Sequence, residues 1–262
     1  MTKEQKRRQM QRRRKRIRKR KRKIRIWTAR FIVLSVFFLL CFGIARGGIW
    51  LWGHITGEKE SVFHGARTVE PAERKPGSRL IVLDAGHGGR DQGTSAGEAL
   101  EKDINLAMVK RLAEILEEAG ETVIFTREDD IKVGLEERAA FANQNEADLF
   151  VSLHCNYCED NAEVQGLECY YREDSEEGEA LANQIVQAVQ EEERIENRGT
   201  RTAGFRVLKK TEMPAVLVEM GYLSNSSECD KMTEDAYQEL LAKKIAEGIL
   251  ALRPSEEEQE PK

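Results

Sequence analysis

Three apolar segments, widely separated along the chain, each end at a histidine or a glutamate. Short runs with so few polar residues are typical of strands buried on both faces, as in parallel sheets. In an open, mostly parallel α/β sheet, catalytic and ligand-binding groups gather beyond the carboxyl ends of the strands. The sequence therefore predicts that the three side chains meet in one crevice. The segments are residues 79–86 before His87, residues 148–153 before His154, and residues 215–218 before Glu219.

Helical and strand patterns alternate between and around these segments. Such alternation requires crossover connections, which place helices on both faces of one sheet. We therefore predict an α/β domain over residues 79–252, with a single, mostly parallel, twisted sheet of about six strands. The predicted helices are residues 103–119, 135–142, 179–191 and 233–252, and the further strands are residues 122–126, 166–171 and 205–208.

Charge divides the chain into a basic amino-terminal arm and an acidic remainder. The first 30 residues contain 17 Lys and Arg against one acidic residue, Glu4, which gives the arm a charge of +16. Because the whole chain has a formal net charge of −4, residues 31–262 must carry −20. Basic blocks can bind nucleic acid. Next to a membrane segment, attraction to anionic lipid explains the arm better, and we expect no nucleic-acid partner.

An uninterrupted apolar run, residues 31–45, follows the arm. Extended to residues 27–55, it exceeds the roughly 20 residues that a transmembrane helix needs, with tryptophans toward both ends. The positive-inside rule then places the arm, residues 1–26, in the cytoplasm and the rest of the chain outside. The sequence thus predicts a single-pass signal anchor in the cell membrane, with one transmembrane helix before the α/β domain.

A cleaved signal peptide is the alternative to this anchor. Gly43 and Ala45 are small residues at a spacing that suits cleavage, but the long basic arm favours retention. Residues 56–78 have little apolar periodicity and are predicted to form a linker. The acidic tail, residues 253–262, offers no apolar side chain for burial and is predicted to be disordered.

Two of the chain's four histidines come directly after apolar strands, which points to a metal site. A catalytic zinc takes three protein ligands and keeps an open position, and two His with one Glu form an established set. Glu98 and Glu101, after the His87 strand, are both candidates for the third ligand. Glu101 precedes a predicted helix, so it could instead interact with the helix dipole. The residues alone leave this choice open.

Glu219 ends an otherwise apolar strand, where an unpaired carboxylate is costly to bury. Beside a metal it can act as a general base, taking a proton from water and passing it to a leaving amine. The alternative is a buried ion pair. The sequence therefore predicts either a catalytic or an ion-paired role for this carboxylate.

Six motifs follow one another between residues 79 and 252. They are DAGHGG at 84–89, EKD at 101–103, TR at 126–127, LEER at 135–138, SLHCN at 152–156 and VEMGYLSN at 218–225. In order and spacing they resemble the motifs of the zinc-dependent N-acetylmuramoyl-L-alanine amidases of the amidase-3 type. The layout, with one catalytic domain behind one membrane segment, is most similar to membrane-anchored spore-cortex and cell-wall amidases.

The resemblance implies that His87, Glu101 and His154 hold one zinc ion and that Glu219 is catalytic, which favours Glu101 over Glu98. It implies hydrolysis of the amide bond between N-acetylmuramic acid and L-alanine in peptidoglycan, during cell-wall remodelling or spore-cortex maturation. Two other functions remain open at this point. One is a zinc peptidase acting on stem-peptide bonds, and the other is a non-catalytic, membrane-anchored wall-binding protein.

The chain departs from the family pattern after the third-motif histidine, where members usually have small residues. Here Cys155 and Cys158 form a C-x-x-C spacing, which also occurs in redox and zinc-binding motifs. In an oxidising exterior Cys155 could pair with Cys158, Cys169 or Cys229, and it could also compete for the metal. The sequence does not choose among these outcomes.

Overall fold

The computed structural model describes residues 74–252, which fold into eight strands and six helices. The strands are β1 (Leu80–Ala85), β2 (Ser95–Ala96), β3 (Ala99–Leu100), β4 (Thr122–Phe125), β5 (Leu149–Asn156), β6 (Leu167–Tyr171), β7 (Asn197–Thr202) and β8 (Ala215–Tyr222). The helices are α1 (Glu101–Glu118), α2 (Leu135–Gln144), α3 (Glu176–Gln190), α4 (Arg206–Lys210), α5 (Ser226–Met232) and α6 (Asp235–Ala251).

Six of the strands form one sheet in the order β4-β1-β5-β8-β6-β7, and β2 pairs with β3 in a separate short hairpin. Strands β4, β1, β5 and β8 are parallel. Strand β6 is antiparallel to β8, and β7 is parallel to β6. The prediction of an α/β fold with a mostly parallel sheet of about six strands is confirmed.

Helices cover both faces of this sheet, which explains why β1 is apolar along nearly its whole length. All six residues of β1 are buried. Ile81 and Leu83 belong to the core cluster that includes residues of α1, α3 and α6. Leu80 and Val82 belong to the cluster that includes residues of α2 and α4. Alternate side chains of one strand thus enter two different cores, as expected from the two-residue period of a strand.

The larger core depends on close packing of α3 against α6. Ile185 of α3 and Ile245 of α6 are fully buried. Gly248 of α6 permits the approach, because a Cβ atom there would lie 2.4 Å from the Cα of Ile185. A larger residue at position 248 would force the two helices apart.

The predicted strand at residues 205–208 is wrong, because this segment lies at the start of α4. Its apolar residues, Val207 and Leu208, lie on one turn of this helix and are both buried in the smaller core. The edge strand is β7 instead, in the sequence NRGTRT, where no residue is fully buried. An edge strand without a buried apolar face has no hydrophobic alternation, so the sequence pattern did not reveal it.

Three helix boundaries differ from the prediction. Helix α1 begins at Glu101 rather than at Asp103. Helix α3 begins at Glu176, where Ser175 caps it by accepting a hydrogen bond from the Gly178 amide. The predicted helix 233–252 is α6, and the separate helix α5 precedes it, capped by the side chain of Asn225. Polar capping side chains, rather than the start of apolar periodicity, set the starts of α3 and α5, whereas α1 and α6 begin without a side-chain cap.

Within residues 74–252, no helix has the length and apolar character needed to cross a membrane. The predicted cytoplasmic arm at 1–26, the signal anchor at 27–55, residues 56–73 of the linker and the tail at 253–262 lie outside the described residues. These segments and their boundaries stay predictions.

Candidate active site

The predicted site residues come together at the carboxyl edge of the sheet. Three neighbouring strands place His154, Glu219 and Glu168 in register, since His154 pairs with Glu219 and Glu219 pairs with Glu168. Paired residues on adjacent strands project from the same face. We call these three residues the site row. The end of β1 brings His87 beside one end of the row, and α1 brings Glu101.

His87 has a left-handed backbone conformation, with φ of 61°. Few residues other than glycine adopt it without support from their surroundings. The support comes from two buried arginines that bind backbone carbonyl oxygens of this turn. Arg138 donates from Nη2 to the oxygen of His87 at 2.6 Å, and Arg127 donates from Nη2 to that of Gly86 at 3.0 Å. The position of the histidine is therefore fixed by charged side chains beneath it.

Asp84 balances the buried charge of Arg138. The two side chains are 1% and 2% exposed, and Arg138 Nη1 lies 2.5 Å from Asp84 Oδ1. The hydroxyl of Ser152 donates to Oδ2 at 2.6 Å, and that of Thr126 donates to Oδ1 at 2.5 Å. Burial alone would raise the pKa of Asp84, but Arg138 and these two hydroxyls hold it below its ordinary value. Asp84 is therefore an anion beneath the site that holds Arg138 in place.

Glu101 is the first residue of α1 and is only 2% exposed. Its Oε2 accepts a hydrogen bond from the amide of Thr94 at 2.7 Å, and its Oε1 accepts one from the amide of Cys155 at 3.1 Å. Burial would raise the pKa of this carboxyl, but hydrogen bonds with His154 and His87 hold it far below its usual range. Glu101 is therefore ionised, as a metal ligand must be.

Both histidines face the same oxygen of Glu101. Its Oε1 lies 3.1 Å from His87 Nε2 and 2.9 Å from His154 Nδ1. The two rings are 5.0 Å apart between centroids and nearly perpendicular. The ring of His154 lies against Gly86, where a Cβ atom would be 2.2 Å from its Cε1. The glycine before His87 is thus required for the close approach of the second histidine.

Glu219 stands next to His154 in the site row and is the least satisfied carboxylate of the site. Its Oε2 is buried and has no hydrogen-bond partner among the described residues. Burial raises the pKa of Glu219 to about 7, against the lowering effect of His154. A carboxyl that titrates near neutrality is suited to accept and release a proton.

The donor set fits a zinc ion. His87, Glu101 and His154 each offer one ligand atom, and these atoms all lie within 4.8 Å of one another. Asp91 Oδ1 lies 3.0 Å from His87 Nδ1, which favours the tautomer that leaves Nε2 free for a metal. Two imidazoles and a carboxylate are the donors that catalytic zinc takes, while one position stays open. The hydrogen bond with Glu101 also raises the pKa of His87.

The side chains of Glu98 and of the described cysteines contribute no ligand atom to this cluster. Glu98 is exposed. The described cysteines are free thiols, with Cys155 and Cys169 buried and Cys158 and Cys229 partly exposed. Burial raises the pKa of the Cys155 thiol well above its ordinary value, and its sulfur is not among the clustered ligand atoms. The disulfides considered from the sequence are not formed among the described residues.

Several residues of the site were not predicted from the sequence. Asp91 orients His87, Arg127 and Arg138 hold its backbone, and Glu168 extends the site row. Asp91 could have been found as a carboxylate four residues after a histidine predicted to bind a metal. The two arginines belong to the TR and LEER motifs, but no local pattern indicates that their charges are buried. Glu168 carried no signal of its own.

Comparison with known proteins identifies the class of enzyme that this fold and site represent. A model of the Amidase_3 family, described as N-acetylmuramoyl-L-alanine amidase, matches residues 81–251. The chain belongs to this family. It is therefore a hydrolase of the amidase class that acts on the peptidoglycan of the cell wall.

Individual relatives agree with this assignment. The chain is 38% identical over 184 residues to the uncharacterized protein YqiI of Bacillus subtilis, covering 70% of this chain and 87% of that protein. It is 36% identical over 174 residues to the probable cell wall amidase LytH of Staphylococcus aureus, covering 65% of this chain and 57% of LytH.

Solved structures show the same domain. The amidase AmiC2 of Nostoc punctiforme superposes with a TM-score of 0.63 at 42% identity, covering 66% of this chain and 97% of that chain. The amidase CwlD of Clostridioides difficile, solved in complex with the GerS lipoprotein, superposes with a TM-score of 0.63 at 33% identity and the same coverage.

Proposed function

We propose that the domain is a zinc-dependent N-acetylmuramoyl-L-alanine amidase in which His87, Glu101 and His154 hold the metal and Glu219 moves the proton. One observation carries the proposal. Three candidate ligand atoms lie within 4.8 Å of one another, and the neighbouring carboxylate of Glu219 has a buried oxygen without a partner. A buried polar atom left unsatisfied is costly, and it persists most readily where a reaction uses it.

The residues of the chain divide the reaction between them. Bound zinc would supply Lewis-acid activation of the scissile carbonyl and of water. Glu219 takes a proton from the attacking water at Oε2 as oxygen bonds to the lactyl carbonyl carbon. The carbon–nitrogen bond then breaks, and Glu219 returns the proton to the nitrogen of L-alanine. The products are a lactyl carboxylate on the glycan and a free amine on the stem peptide.

The experiment that tests this function is a digest of purified peptidoglycan with the full chain, followed by mass spectrometry of the products. An amidase releases intact stem peptides with a new L-alanine amine and leaves glycan with free lactyl groups. A peptidase would cut within the stem peptide instead, and a wall-binding protein would release nothing. Either result would overturn the proposal.

We also propose that the catalytic domain acts outside the cell from a single-pass anchor at residues 27–55. The charge of +16 on the first 30 residues and the apolar run at 31–45 support this topology. Such an enzyme would serve cell-wall remodelling or spore-cortex maturation. The full chain should fractionate with membranes, and its carboxyl end should be open to external protease. A soluble mature protein that starts near Arg46 would instead demonstrate a cleaved signal peptide.

A further inference from the structure

The site row continues past the catalytic carboxylate into a cluster built around Glu168. This side chain is 4% exposed, yet four donors reach it. Arg198 Nε and Arg201 Nε donate to Oε1 at 2.8 Å and 3.1 Å. Tyr170 Oη and Asn156 Nδ2 donate to Oε2 at 2.7 Å and 3.3 Å. We call Glu168, Arg198 and Arg201 the arginine cluster.

Burial alone would raise the pKa of Glu168, but hydrogen bonds from Arg198 and Tyr170 hold it below its ordinary value. The ionised carboxylate fixes both guanidinium groups through their Nε atoms. It cannot neutralise both of them, so the arginine cluster has a net charge of +1. This local positive charge contrasts with the net charge of −20 on residues 31–262.

The guanidinium groups remain available to a ligand. The side chains of Arg198 and Arg201 are 36% and 47% exposed. The terminal nitrogens of Arg201 donate no hydrogen bond to any residue in the described part of the chain. The guanidinium carbon of Arg198 lies 5.6 Å from the centre of the Tyr222 ring, which limits its motion. A fixed guanidinium with free terminal donors matches the planar geometry of a carboxylate.

The separation between Glu219 and the arginine cluster is comparable to the length of a short peptide. Adjacent strands lie about 4.8 Å apart, so Glu168 is one strand spacing from Glu219. The arginines come from β7 and reach back toward β6 to contact Glu168. Two residues of extended peptide span roughly 7 Å. A substrate cleaved beside Glu219 whose stem peptide runs across β6 toward β7 would present its second residue near the arginines.

We propose that Arg198 and Arg201 form a subsite for the free α-carboxylate of the second stem-peptide residue, a glutamate joined to the third residue through its side chain. The inference rests on the proposed amidase function and adds the substrate group that the enzyme recognises. Glu168 is a positioning residue that presents the two guanidiniums. Amidation of that carboxylate produces isoglutamine. The neutral amide is a weaker hydrogen-bond partner for the two guanidinium groups than the charged carboxylate.

The test compares two muramyl tripeptides that differ only at this group, one with γ-linked D-glutamate and one with D-isoglutamine at the second position. The full zinc-loaded chain in detergent should hydrolyse the glutamate substrate with a kcat/KM about 10-fold higher or more, with most of the difference in KM. In the double variant Arg198→Gln/Arg201→Gln, the ratio of the two kcat/KM values should fall to about 1. A ratio is informative because general structural damage would affect both substrates alike.

Arg194→Gln is the matched control. Arg194 precedes the same strand, pairs with Glu192 and is 68% exposed, so the wild-type ratio should persist. A wild-type ratio near 1, or an unchanged ratio in the double variant, would overturn the carboxylate subsite.

Binding of the released tripeptides, measured by calorimetry, separates this inference from the proposed function. If the chain hydrolyses both substrates equally and binds both peptides equally, the subsite fails and the amidase function stands. If it hydrolyses neither substrate but binds the glutamate peptide about 10-fold more tightly through the two arginines, the amidase function fails and the subsite stands.

Discussion

The two ends of the active-site edge differ in how far their side chains are buried and constrained. At one end, His87, Glu101 and His154 are 27%, 2% and 15% exposed, and Arg138 holds the backbone of His87. At the other end, Arg198 and Arg201 extend from the edge strand β7 and are 36% and 47% exposed. We attribute the difference to their tasks. The proposed metal ligands must keep fixed positions, whereas the arginines proposed to recognise a flexible peptide can remain close to solvent.

The largest expected effect comes from replacing Glu101, the third proposed metal ligand, at the more buried end. Glu101→Ala should lose bound zinc and reduce activity on the order of 10³-fold or more, because two histidines cannot retain the metal tightly. Glu98→Ala is the matched control, since this neighbouring glutamate is exposed and should be neutral. Metal content by mass spectrometry and the rate of wall digestion measure both. Loss of zinc from the Glu98 variant alone would reverse the assignment.

His154→Ala should behave like Glu101→Ala, with less than one zinc per chain and no measurable digestion. It would also open space above Gly86, whose backbone the imidazole contacts. Full activity of a rigorously metal-free preparation would contradict both predictions.

Glu219→Gln separates chemistry from metal binding. The amide keeps the shape of the side chain but cannot accept the proton, so turnover should fall on the order of 10² to 10⁴-fold with about one zinc still bound. Single-turnover digestion and metal analysis of the same sample provide the measurement. If zinc is lost with the carboxylate, Glu219 is a ligand rather than the base.

The support beneath His87 can be removed separately. Arg138→Met leaves the Asp84 carboxylate buried without its only ion-pair partner among the described residues, which should lower the free energy of unfolding by about 3 to 5 kcal/mol. It should also weaken zinc binding on the order of 10 to 100-fold, because the backbone oxygen of His87 loses its donor.

Arg206→Met is the control for this change. Arg206 pairs with Glu136, but both side chains are more than half exposed, so the cost should be about 0 to 1 kcal/mol. Urea unfolding followed by circular dichroism compares the two variants. Equal destabilisation would show that burial does not strengthen the inner pair.

The smallest effect is the pH dependence of the buried ion pair between Asp84 and Arg138. The folded state lowers the pKa of Asp84, so this carboxylate adds stability above its unfolded pKa of 3.8 and loses the contribution as pH falls through the lower folded value. Asp84→Asn should therefore be less stable than the wild type at pH 7, with a difference that shrinks below about pH 4. Urea titrations at several pH values test this. A difference that stays constant down to pH 3 would contradict it.

The sequence alone predicted the parts of this molecule that have a local signal. Continuous apolar runs marked the strands, and His87, His154 and Glu219 were found because each follows such a run. The choice of Glu101 over Glu98 needed the family resemblance, since both lie in polar sequence before a helix. The strand predicted at 205–208 was wrong, because a few apolar residues fit a helical turn as well as a strand.

Tertiary structure alone decided which charges are buried and which meet across the sheet. Asp84 and Arg138 are 54 residues apart in sequence, and Glu168 contacts Arg198 and Arg201 over 30 and 33 residues. No periodicity records such pairs, because a charged residue has the same sequence signature whether water or a partner surrounds it. The sequence determined which residues are candidates for binding a metal and moving a proton. The fold decided what holds them and what lies beside them, because strand order and register bring distant residues into contact.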